Sequence, residues 1–300
     1  MKTVLVTGGA GQVGSALRRL DWGGAVRVLA PGRDQLDLGS AAAVRACFAH
    51  GGVDAVVNAA AYTAVDRAES EVGEAFAVNA LGPALLAEAT AQAGIPLIHL
   101  STDYVFAGDK AAPYGEDDPV GPLGVYGASK LAGELAARAG NARSVVLRTA
   151  WVLSPFRSNF LKTMRRLAET RPEIAVVADQ VGCPTSADDI AAAVRAILIA
   201  QLSGGDAPAG VYHFVNAGEA SWCELANAIF AFGAGDGPRA TARPITTADY
   251  PTAARRPANS RLATDKIRRD FGVVPRPWRE AVAEIVGELD RAAIHKEPEA

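Results

Sequence analysis

Through the first half of the chain, short apolar runs alternate with stretches whose apolar positions recur at helical spacing. Residues 1–7 form a mostly aliphatic run, suited to a strand buried on both faces. A glycine-rich turn follows at 8–14, and residues 15–20 are patterned as a helix. Residues 26–30 predict a second strand. Ser40 is placed to N-cap a helix that runs to residue 50, where Gly51 and Gly52 stop it. Residues 53–58 predict a strand, and 69–93 contain a long helix closed by Gly94 and Pro96. Another strand is predicted at 96–101, a helix within 123–138 and a strand at 144–149.

Repeated strand–helix alternation implies an α/β fold: a Rossmann-type, doubly wound parallel sheet with ligands at the carboxyl ends of its strands. The second half is less regular. It predicts helices near 159–170, 188–201, 221–232 and 277–292, with strands near 173–178 and 211–216. Proline and glycine gather at 233–259, which predicts loops, and residues 295–300 predict a frayed end. The expected division is a dinucleotide-binding domain over 1–150 and a smaller α/β substrate domain over 151–300. Residues 186–218 are expected to return to the first domain.

Composition narrows the class. The chain has 300 residues, 49% hydrophobic and 21% charged, enough for a large core. Net charge is −3 with no basic block, so nucleic acid is not an expected partner. The N-terminal run is not patterned as a signal peptide, and no apolar run is long enough for a membrane helix. Cys47, Cys183 and Cys223 are isolated, without metal-ligand spacing. A cytoplasmic protein with reduced thiols, no membrane attachment and no bound metal is the expectation.

Gly8, Gly11 and Gly14 stand between a strand and a helix, the context a pyrophosphate-binding turn requires. Gly8 allows the turn, Gly11 a close backbone approach and Gly14 close helix packing, with phosphates at the helix N-terminus. Gln12 and Val13 lie inside the same turn. After the second strand, Arg33 suits a 2′-phosphate, while the adjacent Asp34 suits ribose hydroxyls. Ala59, Ala60 and Ala61 are small residues at a strand end, past which a ribose and nicotinamide fit.

Tyr126 and Lys130 are four apart in a predicted helix and share one face. A nearby ammonium is expected to lower the phenol from its ordinary value near 10. Thr102 and Asp103 close the strand at 96–101, where active-site groups of such sheets gather. A Thr102 hydroxyl would bond a substrate carbonyl beside Tyr126. Asp188 and Asp189 suit the first turn of a helix better than a carboxylate pair for catalysis.

The segments TGGAGQVG, NAAAYTAVDRAE, STDYVF, YGASK and RTAWV resemble the extended short-chain dehydrogenase/reductase superfamily. Asn159-Phe160, the 179–185 segment and the 256–262 segment narrow this to the dTDP-4-dehydrorhamnose reductase family, along nearly the whole chain. The resemblance implies reduction of a 4-keto sugar nucleotide to dTDP-L-rhamnose, for cell-surface polysaccharide, with NAD(P)H as hydride donor; Arg33 after the second strand favours NADPH, with NADH usable. The resemblance also implies a catalytic set of Thr102, Tyr126 and Lys130, with Asp103 beside them. It places Asp37 and Leu38 against the adenine and adds Asn79 to the cofactor set. For the sugar nucleotide it implies Trp151, Asn159, Gln180, Pro184, Arg256 and Asn259. An exposed Trp151 indole would contact the sugar, and Arg256 would clamp the diphosphate. Some members dimerise through glutamates on Mg²⁺. The corresponding stretch here, Gly14-Ser15-Ala16, has no carboxylate, so that bridge is not expected, and a homodimer is left open.

Two other classes compete. A sugar-nucleotide dehydratase would need a second carboxylate after Thr102-Asp103, where this chain has Tyr104; a 4-epimerase is not excluded. A cofactor-binding regulatory subunit, like that of methionine adenosyltransferase, would not need the Tyr126–Lys130 pair.

Overall fold

A computed structural model describes residues 1–49, 51–204, 207–233 and 240–294. The expected frayed end at 295–300 lies outside them. Six parallel strands form the central sheet: β1 (Lys2–Thr7), β2 (Val26–Leu29), β3 (Ala55–Asn58), β4 (Leu97–Thr102), β5 (Ser144–Thr149) and β6 (Gly210–His213). Their order is β2-β1-β3-β4-β5-β6. The chain steps from β2 across β1 to β3, so the order reverses beside β1. Ligands of doubly wound sheets bind at that reversal, outside the carboxyl ends of the strands. β3 and β5 are buried along their whole length, as the aliphatic runs require, whereas β2 is an edge strand and half-buried.

Two apolar layers cover this sheet. On one face, Val4, Val6, Ile98 and Leu147 pack with Leu17, Ile190, Val194 and Ile197. The last three belong to the helix Ala187–Leu202, which lies beside the helix Gln12–Arg19. On the other face, Leu5, Val56, Leu97 and Val146 pack with Leu86, Ala87 and Ala137, from the helices Gly82–Gln92 and Val125–Gly140.

A second core joins the helices Phe160–Ala168, Trp222–Phe232 and Trp278–Ile294 through Leu161, Leu225, Ile229, Ile285 and Val286. A two-stranded parallel sheet, Glu173–Val177 with Thr241–Ile245, completes it. The second of these strands falls in the stretch expected to be loop. Pro244 lies within it, tolerated because the strand has a partner on one side only.

The helix expected within 69–93 is interrupted. Helical segments Val65–Ala68 and Val72–Phe76 lead into a π-turn, Ala77–Leu81, before Gly82–Gln92. The wider turn points Asn79 into the protein, where it is fully buried. Among the described residues, no helix is long and apolar enough to cross a membrane. Nor is any group of three or more His, Cys, Asp or Glu placed to hold a metal.

Candidate active site

The carboxyl ends of β1 and β3 open into a cavity of about 700 Å³, lined by residues 7–13, 31–33, 36–38 and 59–63 together with Arg157 and Ser158. Gly8 takes φ +68°, and a Cβ there would lie 2.6 Å from the Ala60 nitrogen. A Cβ on Gly14 would strike the Gly8 carbonyl oxygen, so Gly14 closes the turn on itself. Gly11 N–H donates to that same carbonyl at 2.8 Å. The helix Gln12–Arg19 starts at Gly11 with no side-chain cap and no acid in its first turn. Its N-terminus therefore offers N–H groups and a positive dipole end to an anion. The floor, Ala59 to Ala61, is small, and Leu38 is buried below. A dinucleotide with its diphosphate at the turn fits this cradle.

The remaining expected cofactor residues divide. Val13 lines the cavity and is almost buried. Arg33 lines it too; its side chain is 73% exposed and approaches Glu74 at 3.8 Å. Asp37 also lines the cavity while accepting from Gly39 N–H at 3.0 Å. Gln12 reaches across to the second half of the chain. Its Oε1 accepts from Ser154 Oγ at 2.7 Å and Asn159 Nδ2 at 2.9 Å. Asn79 lies behind the cavity wall, holding both backbone groups of Tyr62 and donating to Ser129 Oγ at 3.0 Å. Ser129 in turn donates to the Tyr126 carbonyl, so the π-turn braces the helix that carries Tyr126.

Thr102 ends β4 and Asp103 opens the turn after it, with Thr102 Oγ1 donating to Asp103 Oδ1 at 3.0 Å. The Tyr126 phenol faces the Thr102 side chain, which holds the phenol down. Its ring meets Tyr104 edge-on at 5.4 Å. Lys130, one helical turn along, is buried, and its Nζ donates to the Leu100 carbonyl at 2.6 Å. Burial pushes the phenol up to about 12, against the lowering by Thr102. Burial also brings Lys130 down to about 8, with Glu134 opposing. The expected lowering of the tyrosine by Lys130 is therefore not met. The ammonium is aimed at a strand carbonyl, and desolvation of the phenolate dominates. Burial likewise raises Asp103 to about 6, with Ser260 and Thr102 holding it down.

A polar network unforeseen in the sequence backs this set. Glu134 lies one turn beyond Lys130 and accepts from Arg148 Nε at 2.9 Å and Nη2 at 2.7 Å. Ser101 Oγ donates to Glu134 Oε1 at 2.5 Å. Both ionic side chains are almost fully buried. Arg148 also approaches His213 Nε2 at 3.4 Å, and burial beside that guanidinium holds His213 down at about 3. The i, i+4 step from Lys130 to Glu134 is the signal that could have suggested it.

The residues carried over for the sugar nucleotide are less uniform. Trp151, expected to be exposed, is only 9% so. Its ring stacks on Trp222 at 3.5 Å and 10°, with Gly182 packed against the indole. Trp222, missed in the sequence, donates to Gln180 Oε1 at 3.2 Å and packs against Phe160 at 4.6 Å. Gln180 and Pro184 are both buried. Asn159 caps the helix Phe160–Ala168, and its amide is occupied by Gln12, Ser154 and Phe156. Asn259 donates to the Lys110 and Ala112 carbonyls and accepts from Arg261 N–H and Nε–H. Both asparagines thus spend their amides within the protein. Arg256, expected on a diphosphate, makes a two-pronged pair with Asp66 at 2.9–3.0 Å. Its guanidinium also opposes the burial that raises the Tyr104 phenol.

Known proteins of this shape share the chain's sequence as well. The dTDP-4-dehydrorhamnose reductase of Sinorhizobium fredii is 48% identical over 289 residues, covering 95% of this chain and 96% of that one. Among solved structures, the dTDP-4-dehydrorhamnose reductase of Clostridium acetobutylicum is 35% identical with a TM-score of 0.89, covering 96% of this chain and 99% of that one. The enzyme of the same name from Bacillus anthracis, in complex with NADP, is 33% identical with a TM-score of 0.89, covering 96% and 100%. The model of the RmlD substrate binding domain matches residues 1–291, and the chain belongs to that family.

Proposed function

We infer that this chain is a dTDP-4-dehydrorhamnose reductase, which reduces the 4-keto group of dTDP-4-dehydro-L-rhamnose with a nicotinamide cofactor. The observation that carries this reading is the meeting of Thr102, Tyr126 and Lys130 at the end of β4, beside a cavity built on the glycine turn. Relatives that carry the same name over almost their whole length support it.

The cofactor supplies the hydride when bound. The chain's own part is to manage the oxygen at C4. Tyr126, with its proton retained by burial, gives that proton to the oxygen as negative charge develops there. Thr102, bonded to Asp103 and beside Tyr126, orients the carbonyl. Lys130, whose Nζ donates to the Leu100 carbonyl, ties the helix that carries Tyr126 to the end of β4. Gly8 to Gly14 and the uncapped helix end hold the diphosphate.

For the cofactor, the reading is NADPH preferred with NADH usable. Arg33 at the mouth of the cavity supports it: the guanidinium is exposed and able to meet a 2′-phosphate. Asp37 turns part of its carboxylate toward Gly39. The test is turnover of the keto sugar nucleotide with each cofactor. Cofactor oxidation dependent on the keto sugar is expected, with kcat/KM higher for NADPH and the ratio falling in Arg33→Ala. Absence of turnover with intact cofactor binding would turn the reading toward a binding subunit. A ratio unmoved by Arg33→Ala would remove Arg33 from cofactor choice.

A further inference from the structure

Arg157 stands in the second half of the chain but faces the glycine turn of the first. Its Nε donates to the Ala10 carbonyl at 2.7 Å, and the residue lines the cavity with Gly8 to Val13. Among the described residues, its two terminal nitrogens have no hydrogen-bond partner. Its backbone takes φ +53°, which glycine would adopt without strain and arginine does not. Strained backbone of this kind persists where surrounding contacts hold it, and it concentrates at ligand clamps.

Those contacts are present. Ser154 and Asn159, on either side of Arg157, both bond Gln12 Oε1, and Asn159 also bonds the Ser154 carbonyl at 2.8 Å. The segment is thus tied to the first residue of the helix whose N-terminus is uncapped. Of the described carboxylates that line the cavity, Glu74 lies beside Arg33 and Asp37 folds on Gly39. Arg157 is a cation beside the turn, with no carboxylate among its partners in the described residues.

We propose that Arg157 is a cofactor-binding residue. Latched to the Ala10 carbonyl, it presents its free guanidinium edge to the cofactor's diphosphate and clamps it onto the helix N-terminus from the opposite lobe. This rests on the nicotinamide-cofactor reading above. A diphosphate is common to NADH and NADPH, so Arg157 contributes equally to both, whereas Arg33 discriminates between them.

The test is direct titration of NADPH and NADH, without sugar, into wild type, Arg157→Ala, Arg157→Gly and Arg157→Lys, with melting temperatures of the cofactor-free proteins. Arg157→Ala is expected to raise Kd for both cofactors about 10- to 100-fold, the scale of a lost charge-assisted hydrogen bond. The NADPH/NADH ratio should stay at its wild-type value. Arg157→Gly should lose affinity equally while melting no lower than wild type, since glycine accepts the backbone angle. Arg157→Lys should recover part of the affinity. Wild-type affinity in the Ala and Gly variants would overturn the proposal, as would a loss confined to NADPH. So would a lowered melting temperature in Arg157→Gly with no recovery in Arg157→Lys, which would make the residue a tether only. Failure of wild type to bind either cofactor would instead remove the underlying reading, and the proposal with it.

Discussion

Tyr126 stands half-buried beside Thr102 with its phenol raised, and in the proposed reaction it keeps the proton that carbonyl reduction consumes. Replacing it with phenylalanine keeps the ring and its edge contact with Tyr104. Tyr126→Phe should lower kcat by about 10²-fold or more, the scale for a lost general acid. Cofactor affinity, measured by titration, should be unchanged; near-normal turnover would sink the role. Asp103 allows a separate test through stability. Its carboxyl is raised from 3.8 to about 6 by burial. Between those values the folded chain holds a proton the unfolded chain has lost. Stability from this group is therefore fully present below about pH 4 and lost as pH rises through about 6. Asp103→Asn does not titrate. The variant should therefore gain on wild type by about 2–3 kcal/mol from pH 4 to pH 7, since each tenfold change in proton affinity is worth roughly 1.4 kcal/mol. Urea unfolding at the two pH values measures it, and a gap independent of pH would refute the burial argument. The residue types at this site were legible because a strand end, an i, i+4 helix pair and their order along the chain are local features. The burial of Trp151 was not legible, because its stacking partner Trp222 arrives from a distant helix. Asn159 and Asn259 were also opaque, since only the folded chain shows where their amides are spent.

The helix Val125–Gly140 does more than present Tyr126 and Lys130. Its next turn carries Glu134 into an almost dry pair with Arg148 on β5, and Ser101 ties the same carboxylate to β4. The helix is thereby fixed to two central strands one turn from Lys130. Breaking such a pair from one side leaves a buried charge without its partner, at a cost of about 3–5 kcal/mol. Glu134→Gln is expected to lose that much in urea unfolding. Replacing both partners with apolar residues, Glu134→Leu with Arg148→Met, should recover most of it. If Glu134→Gln costs nothing measurable, the pair does not anchor the helix. At this scale the strand–helix alternation was readable, because parallel strands are continuous apolar runs with glycine or proline at their ends. The π-turn at Ala77–Leu81 was not, since its cause is the demand of Tyr62 and Ser129 for the Asn79 amide. The helix Asp265–Phe271 has only seven residues, too few to show a period, although Gly272 closes it at φ +66°.

Across the whole molecule, the chain returns to the first lobe after leaving it. The helix Ala187–Leu202 and strand β6 both follow the helix Phe160–Ala168, yet they complete the central sheet and one of its covering layers. Ile190, Val194, Ile197 and Leu198 are at most 1% exposed, packed on the layer that includes Leu17 and Val145. Surface ion pairs cross at the same place, from Arg19 to Asp188 and to Glu288. These pairs are partly exposed and worth little individually, so apolar burial dominates the join. Four buried aliphatic side chains at about 1.5–3 kcal/mol each amount to as much as the total stability of an ordinary domain, about 5–15 kcal/mol. A fragment ending at residue 150 would keep five of six strands but expose that face and the open edge of β5. Such an edge and face favour association over folding. We therefore expect the fragment 1–150 to lack the near-UV circular dichroism of fixed packing, to bind a hydrophobic dye and to aggregate. The fragment's failure should be rescued by supplying residues 186–294 in trans or by a linker that bypasses 151–185. A 1–150 fragment that is monomeric, cooperative in unfolding and able to bind cofactor would show instead that the first lobe is self-sufficient and that the returning segment is an accessory layer.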